Sequence, residues 1–273
     1  MFENIFSSVD SSLYNILDEL VFIDTDILKD SYFKKIFGTN PASGILLVAN
    51  SLLVGFVIYY CFKLLGSNFG ISQTQNPYQF IFKIIIFGIF MNSSIFICEQ
   101  SLYINSLVSS SIRALGESIF KTNICFTSLL EKINFSIYAD STINIFSIDG
   151  IIKSIISIGF LNLLFSYSVR YILIKVFVLI SPFAFLSLSI PSTSIFFRSW
   201  LKCFFSLLFI QEFISLVLLL SFSIDFSSKL LSKFLFVGVI LVLIKSNTLV
   251  REFLGGISTE LGGSIKSFKN LFS

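Results

Sequence analysis

The sequence predicts an all-α, helical integral membrane protein with about five transmembrane helices plus amphipathic interfacial helices. Three observations carry this. Of 273 residues, 55% are hydrophobic and 13% charged, against roughly a quarter charged in ordinary globular chains. Mean hydropathy is +0.89. Several apolar runs reach the ~20 residues that cross a hydrocarbon core of about 30 Å, and an apolar helix satisfies its own backbone there.

Residues 1–40 form an amphipathic N-terminal segment. Leu13, Ile16, Leu17 and Leu20 continue a helical period begun by Phe2, Ile5, Phe6 and Val9, while Glu3, Asp10, Asp18 and Glu19 are acidic. Such a helix lies on a membrane or a partner, or packs on its own domain. It lacks the basic n-region and continuous apolar core of a cleavable signal peptide.

Residues 41–98 predict a transmembrane hairpin. Asn40-Pro41 marks a helix start, and span one runs from Ser43 to Leu65. Gly66 to Gln79 is a polar turn, and Phe80 to Cys98 is span two. Residues 99–150 are mixed in character and predict an extracytoplasmic insert of interfacial helices. Residues 151–244 predict three more spans. The first, Ile151 to Ile180, has only Gly159 as a weak breaker before Ser181-Pro182, so it reads as one over-long helix; a hinge near Ser166 to Ser168 would make it two. The others are Trp200 to Phe222 and Leu230 to Ile244. Residues 245–273 are a cytoplasmic tail.

Lys and Arg placement sets orientation. Lys63, Lys83, Arg198, Lys202, Lys245, Arg251, Lys266 and Lys269 fall on one side of five spans, against Lys229 and Lys233 opposite. The expected C-terminus is therefore cytoplasmic and the N-terminus outside, although Lys29, Lys34 and Lys35 pull the other way.

Chemistry-bearing residues are few. The chain has no His, and Cys61, Cys98, Cys125 and Cys203 are isolated, so no metal site or disulfide framework is implied. With no P-loop, HExxH or GxSxG, no catalytic residue, metal or cofactor is expected. Intramembrane charges cost ~2.5 to 3.5 kcal/mol each on insertion scales and count as candidate functional groups. Arg170 and Lys175 lie in span three, and Glu212 in span four beside Gln211. The economical expectation is an intramembrane pair between Glu212 and Arg170 or Lys175; snorkelling of the cations is the alternative.

A resemblance rests on Arg170 and the helix leading into Ser181-Pro182-Phe183-Ala184-Phe185, then Pro191, Phe196-Phe197, Trp200-Leu201-Lys202, Gln211 and Arg251-Glu252-Phe253-Leu254-Gly255-Gly256. In these the chain resembles the TrbL-like, VirB-type polytopic inner-membrane subunits of type IV secretion (conjugation) systems, of the kind carried by Gram-positive mobile elements. The resemblance covers roughly Pro41 to Glu260. It implies a cell-membrane, multi-pass channel subunit working with other secretion-system membrane subunits and ATPases, as an oligomer, on DNA or protein in transit. It also marks Trp200, Lys202, Gln211, Arg251, Gly255 and Gly256 as family-like positions. Ser181, Pro182 and Phe183 are expected to form a helix break or subunit contact, since proline removes a backbone donor. A secondary transporter or ion channel is the alternative function.

Overall fold

A computed structural model describes residues 11–68, 77–138, 148–190, 193–224 and 230–254. The first ten residues of the amphipathic pattern, Pro191, Gly255, Gly256 and the remaining tail lie outside them. Among the described residues the chain is all helix with no strand. The α-helices are α1 (Ser11–Val21), α2 (Ser31–Phe37), α3 (Gly44–Asn68), α4 (Pro77–Asn92), α5 (Ser94–Phe120), α6 (Phe126–Tyr138), α7 (Ile148–Leu186), α8 (Ser194–Ser221) and α9 (Leu230–Leu254). Short 3-10 turns at Thr25–Leu28 and Ser187–Ser189 punctuate them.

Four of these are long and apolar enough to cross a membrane: Gly44–Gly66, Gly150–Ser189, Ser194–Ser221 and Leu231–Leu254. The pair Ile81–Asn92 and Ser94–Phe120, bent by 57°, makes a fifth if counted as one span. The chain is thus helical and of multi-pass membrane type.

The bend corrects the expectation of a continuous span over Phe80 to Cys98. At the bend Asn92 Nδ2 donates to Gly88 O (2.8 Å), the carbonyl one turn back, and to Asn50 Oδ1 on α3 (3.3 Å). The predicted insert therefore begins inside a helix, since α5 runs unbroken from Ser94 past Glu99 to Phe120. Span one starts at Gly44, one residue after the expected Ser43, beyond the helix start marked at Asn40-Pro41. Gly38 (φ 108) ends α2 and Gly44 (φ 57) opens α3, and a Cβ at Gly38 would meet Ser43 O at 2.1 Å. Only glycine accepts this close left-handed turn.

Span three is one helix. α7 has 39 residues, about 58 Å at 1.5 Å per residue, and Ser166 to Ser168 does not hinge it. Gly159 breaks nothing: its missing Cβ admits Ile240 of α9, whose Cγ2 would lie 2.5 Å from one. Pro182 is also inside the helix, which continues four residues to Leu186, so the expected break is displaced. Proline has no N–H for Val178 O, and the Ser181 hydroxyl donates there instead at 2.7 Å. A neighbouring hydroxyl thus fills the acceptor that the ring leaves empty.

The chain divides into two compact units. The first comprises Met1–Ile23, Ile104–Leu173 and Phe205–Ser273. Within it α1 packs on α6, with Leu17 and Val21 buried. α8 lies along α5 through a Ser109–Ser215 hydroxyl bond of 2.7 Å. α9 meets α7 where Asn247 Nδ2 bonds Ser166 Oγ and Tyr167 OH donates to Leu243 O (3.3 Å). Serines and asparagines at these crossings act as interhelical hydrogen-bond groups.

The second unit comprises Asp24–Tyr103 and Ile174–Phe204. Its hairpin, α3 against α4, is clasped by a reciprocal amide pair, Asn50 Nδ2 to Asn92 Oδ1 (3.1 Å) and Asn92 Nδ2 to Asn50 Oδ1 (3.3 Å). Leu52, Val54, Ile58 and Phe62 of α3 are exposed. An apolar face this extensive matches a hydrocarbon surrounding rather than water.

Candidate functional site

The first unit is organised around Arg170, which is 0% exposed. Leu163, Tyr167 and Arg170 recur three or four residues apart on the buried face of α7, as helical geometry requires. The guanidinium Nε donates to Leu207 O on α8 at 2.8 Å, Nη1 to Val21 O at 2.9 Å, and Nη2 reaches Gln211 Oε1 at 3.5 Å. Val21 is the last residue of α1, so its carbonyl is among those a helix end leaves without an intrahelical partner. A cation there also meets the negative end of the helix dipole. Gln211 Oε1 accepts from Ile23 N at 3.1 Å. Arg170 and Gln211 together therefore hold the main chain where it leaves α1.

This differs from the expected charge pair. Arg170's hydrogen bonds end on neutral oxygens rather than on Glu212. Glu212 is half-buried, and the Asn105 amide, with its NH2 turned toward two oxygens, donates to Glu212 Oε1 (3.2 Å) and Leu208 O (3.1 Å). The physical reason is register. Gln211 and Glu212 are successive residues about 100° apart around α8, and Gln211 is the one facing Arg170. Lys175 belongs to the second unit, where its Nζ lies 5.9 Å from the Phe33 ring centroid.

Two further groups fasten the same segment. The Arg113 guanidinium of α5 lies 4.1 Å from the Phe22 ring centroid, a cation–π contact. Asp18 of α1 accepts from Phe126 N (2.9 Å), Thr127 N (3.3 Å) and Thr127 Oγ1 (2.9 Å). Its carboxylate thus caps the start of α6, where the dipole favours an anion. Burial pushes the Asp18 pKa above the ordinary 3.8, against the opposing pull of the bonds from Phe126 and Thr127 and of the Arg113 charge. Of the readings open for the N-terminal amphipathic helix, packing on its own domain describes α1.

In the second unit Phe185, Phe197, Trp200 and Phe204 form one aromatic cluster. Phe185 lies 5.2 Å from Phe197 and 5.6 Å from Trp200, centroid to centroid, and Trp200 stacks on Phe204 at 5.3 Å. The indole Nε1 donates to Phe177 O (2.9 Å), in the turn of α7 ahead of Pro182. Ser181 and Pro182 are buried beside it and Phe183 half-buried, whereas Lys202 is exposed. Arg251 lies in the last turn of α9.

Sequence reasoning found Arg170 and Gln211 but missed Asp18 as a cap, Arg113, and the receiving atoms Val21 O and Ile23 N. A signal existed for Asp18, an acid facing the start of another helix, but only folding reveals which helix. Among the described residues no group of three or more His, Cys, Asp or Glu gathers to hold a metal. The arrangement can clamp an N-terminal segment into a helical bundle. Compared with known proteins, the chain matches no family model, no curated protein and no solved structure.

Proposed function

We propose that this chain is a polytopic channel or scaffold subunit of a type IV secretion (conjugative DNA transfer) apparatus, passing substrate across the cytoplasmic membrane. The observation that supports it is the aromatic cluster. The segment Ser181 to Phe185 and the segment Phe196 to Trp200, which carry the resemblance, pack on each other through Phe185, Phe197 and Trp200. In this reading these segments form a helix-to-helix joint near Pro182. Energy comes from partner ATPases, other membrane subunits complete the oligomeric channel, and this chain is not itself an enzyme. In this reading the N-terminus is outside and the C-terminus cytoplasmic in the cell membrane.

The alternative, a secondary transporter or ion channel, drew on the intramembrane charges. The engagement of Arg170 with Val21 and Leu207 carbonyls weighs against it. The deciding experiment deletes the gene and measures element transfer alongside growth and solute uptake. Transfer should be lost with growth and uptake intact. Normal transfer in the deletion strain would remove the secretion reading, and lost uptake would favour the transporter.

A further inference from the structure

The short helix α2 separates its faces sharply. Phe33 and Phe37 are 5% and 1% exposed, while Tyr32 and Ile36 are 73% and 54% exposed. At 100° per residue, Tyr32, Lys35 and Ile36 fall within one outward arc of about 100°, and Lys34 lies about 100° beyond Lys35, away from Tyr32 and Ile36. Lys35 Nζ lies 5.9 Å from the Tyr32 ring centroid. An aromatic ring, an apolar side chain and a long cation on one exposed face is the composition favoured at a membrane–water boundary.

Charge and position point the same way. Of the nearby acids, Asp26 pairs with Lys29 (2.6 Å), while Asp24 and Asp30 accept from the main-chain N–H groups of Thr25 (2.5 Å) and Tyr32 (3.0 Å). Lys34 and Lys35 are exposed at the end of α2, where cations also favour the helix dipole. α2 packs against α3, and the candidate span Gly44–Gly66 begins just beyond the tight turn of Gly38 and Gly44. The stripe is thereby fixed beside the entry of a span.

We propose that α2 is an interfacial foot whose Tyr32, Lys35 and Ile36 face lies among the headgroups of anionic phospholipids, with Lys35 on their phosphates. The surface-lying role that the sequence pattern offered for the whole N-terminal segment belongs to this helix, since α1 is packed on α6.

The test uses the full chain in phosphatidylcholine vesicles with or without phosphatidylglycerol, after an alkaline wash that separately checks membrane integration. In Tyr32→Trp, lipids brominated near the headgroup should quench emission beyond the wild-type background of Trp200, and aqueous iodide should not. Lys35→Gln should lower co-purifying phosphatidylglycerol by about fivefold, and Lys34→Gln should lower it less. Iodide quenching without bromine quenching would place the face in water or against a soluble partner and overturn the proposal. Phosphatidylglycerol retention unchanged by the glutamines would overturn anionic recognition. That second measurement keeps native Tyr32, so it stands if the tryptophan variant fails to fold.

Discussion

The guanidinium Nη1 of Arg170 donates to the main-chain carbonyl of Val21 at 2.9 Å, 149 residues apart in sequence. A buried cation in this protein is thus held by a helix end. Removing it strands an acceptor; reversing it sets a carboxylate against the negative end of α1.

Arg170→Met should therefore lower thermal stability by about 1 to 3 kcal/mol, because Val21 O loses its partner while the cost of burying a charge is relieved. Arg170→Glu should be far worse, and adding Glu212→Arg should not rescue it. Limited proteolysis would report release of the N-terminal segment. Rescue by the exchange would restore the Arg170–Glu212 pair as the correct account.

Asp18 supplies a pH test. Its folded pKa is raised above 3.8, chiefly by burial, so the folded state binds the proton more tightly than the unfolded chain does. Its titration therefore favours folding below that ordinary value, and this contribution is lost as pH rises through the folded value. Melting against pH should show that decline, and Asp18→Asn should abolish it. Asp18→Ala, which also removes the α6 cap, should cost about 0.5 to 2 kcal/mol.

The Ser181–Val178 bond of 2.7 Å makes a double-mutant cycle informative. Ser181→Ala should cost about 1 to 3 kcal/mol while Pro182 is present, since a buried carbonyl then lacks a donor. In a Pro182→Ala background the new N–H serves Val178 O, and the same substitution should be nearly neutral. Equal costs in both backgrounds would show that the hydroxyl does not compensate for the proline.

The Asn50–Asn92 clasp predicts strong coupling. Asn50→Leu or Asn92→Leu should each weaken the α3–α4 hairpin by about 0.6 to 2 kcal/mol. The double variant should cost little more than either single one, as read by melting in one detergent. Additive losses would mean that the amides act separately.

Composition and apolar run length made the helical membrane class legible, because the bilayer requirement is a sum over about 20 residues that no single contact alters. The single long helix through Arg170 was legible for the same reason. The bend at Asn92 was not, since no proline or glycine pair marks it in the sequence. Nor was the continuation past Pro182, which needs the Ser181 rotamer that reaches Val178 O.

By itself the sequence determined the class, the approximate place of the spans other than the bent one, and Arg170 as a cation within a span. Only tertiary structure decided what those charges touch. Arg170 meets Val21 O and Leu207 O, Asp18 meets the N–H groups of Phe126 and Thr127, and Glu212 meets Asn105. The physical reason is that every residue carries a main-chain carbonyl and all but proline an N–H. Such partners leave no mark in the order of side chains, and packing alone selects among them.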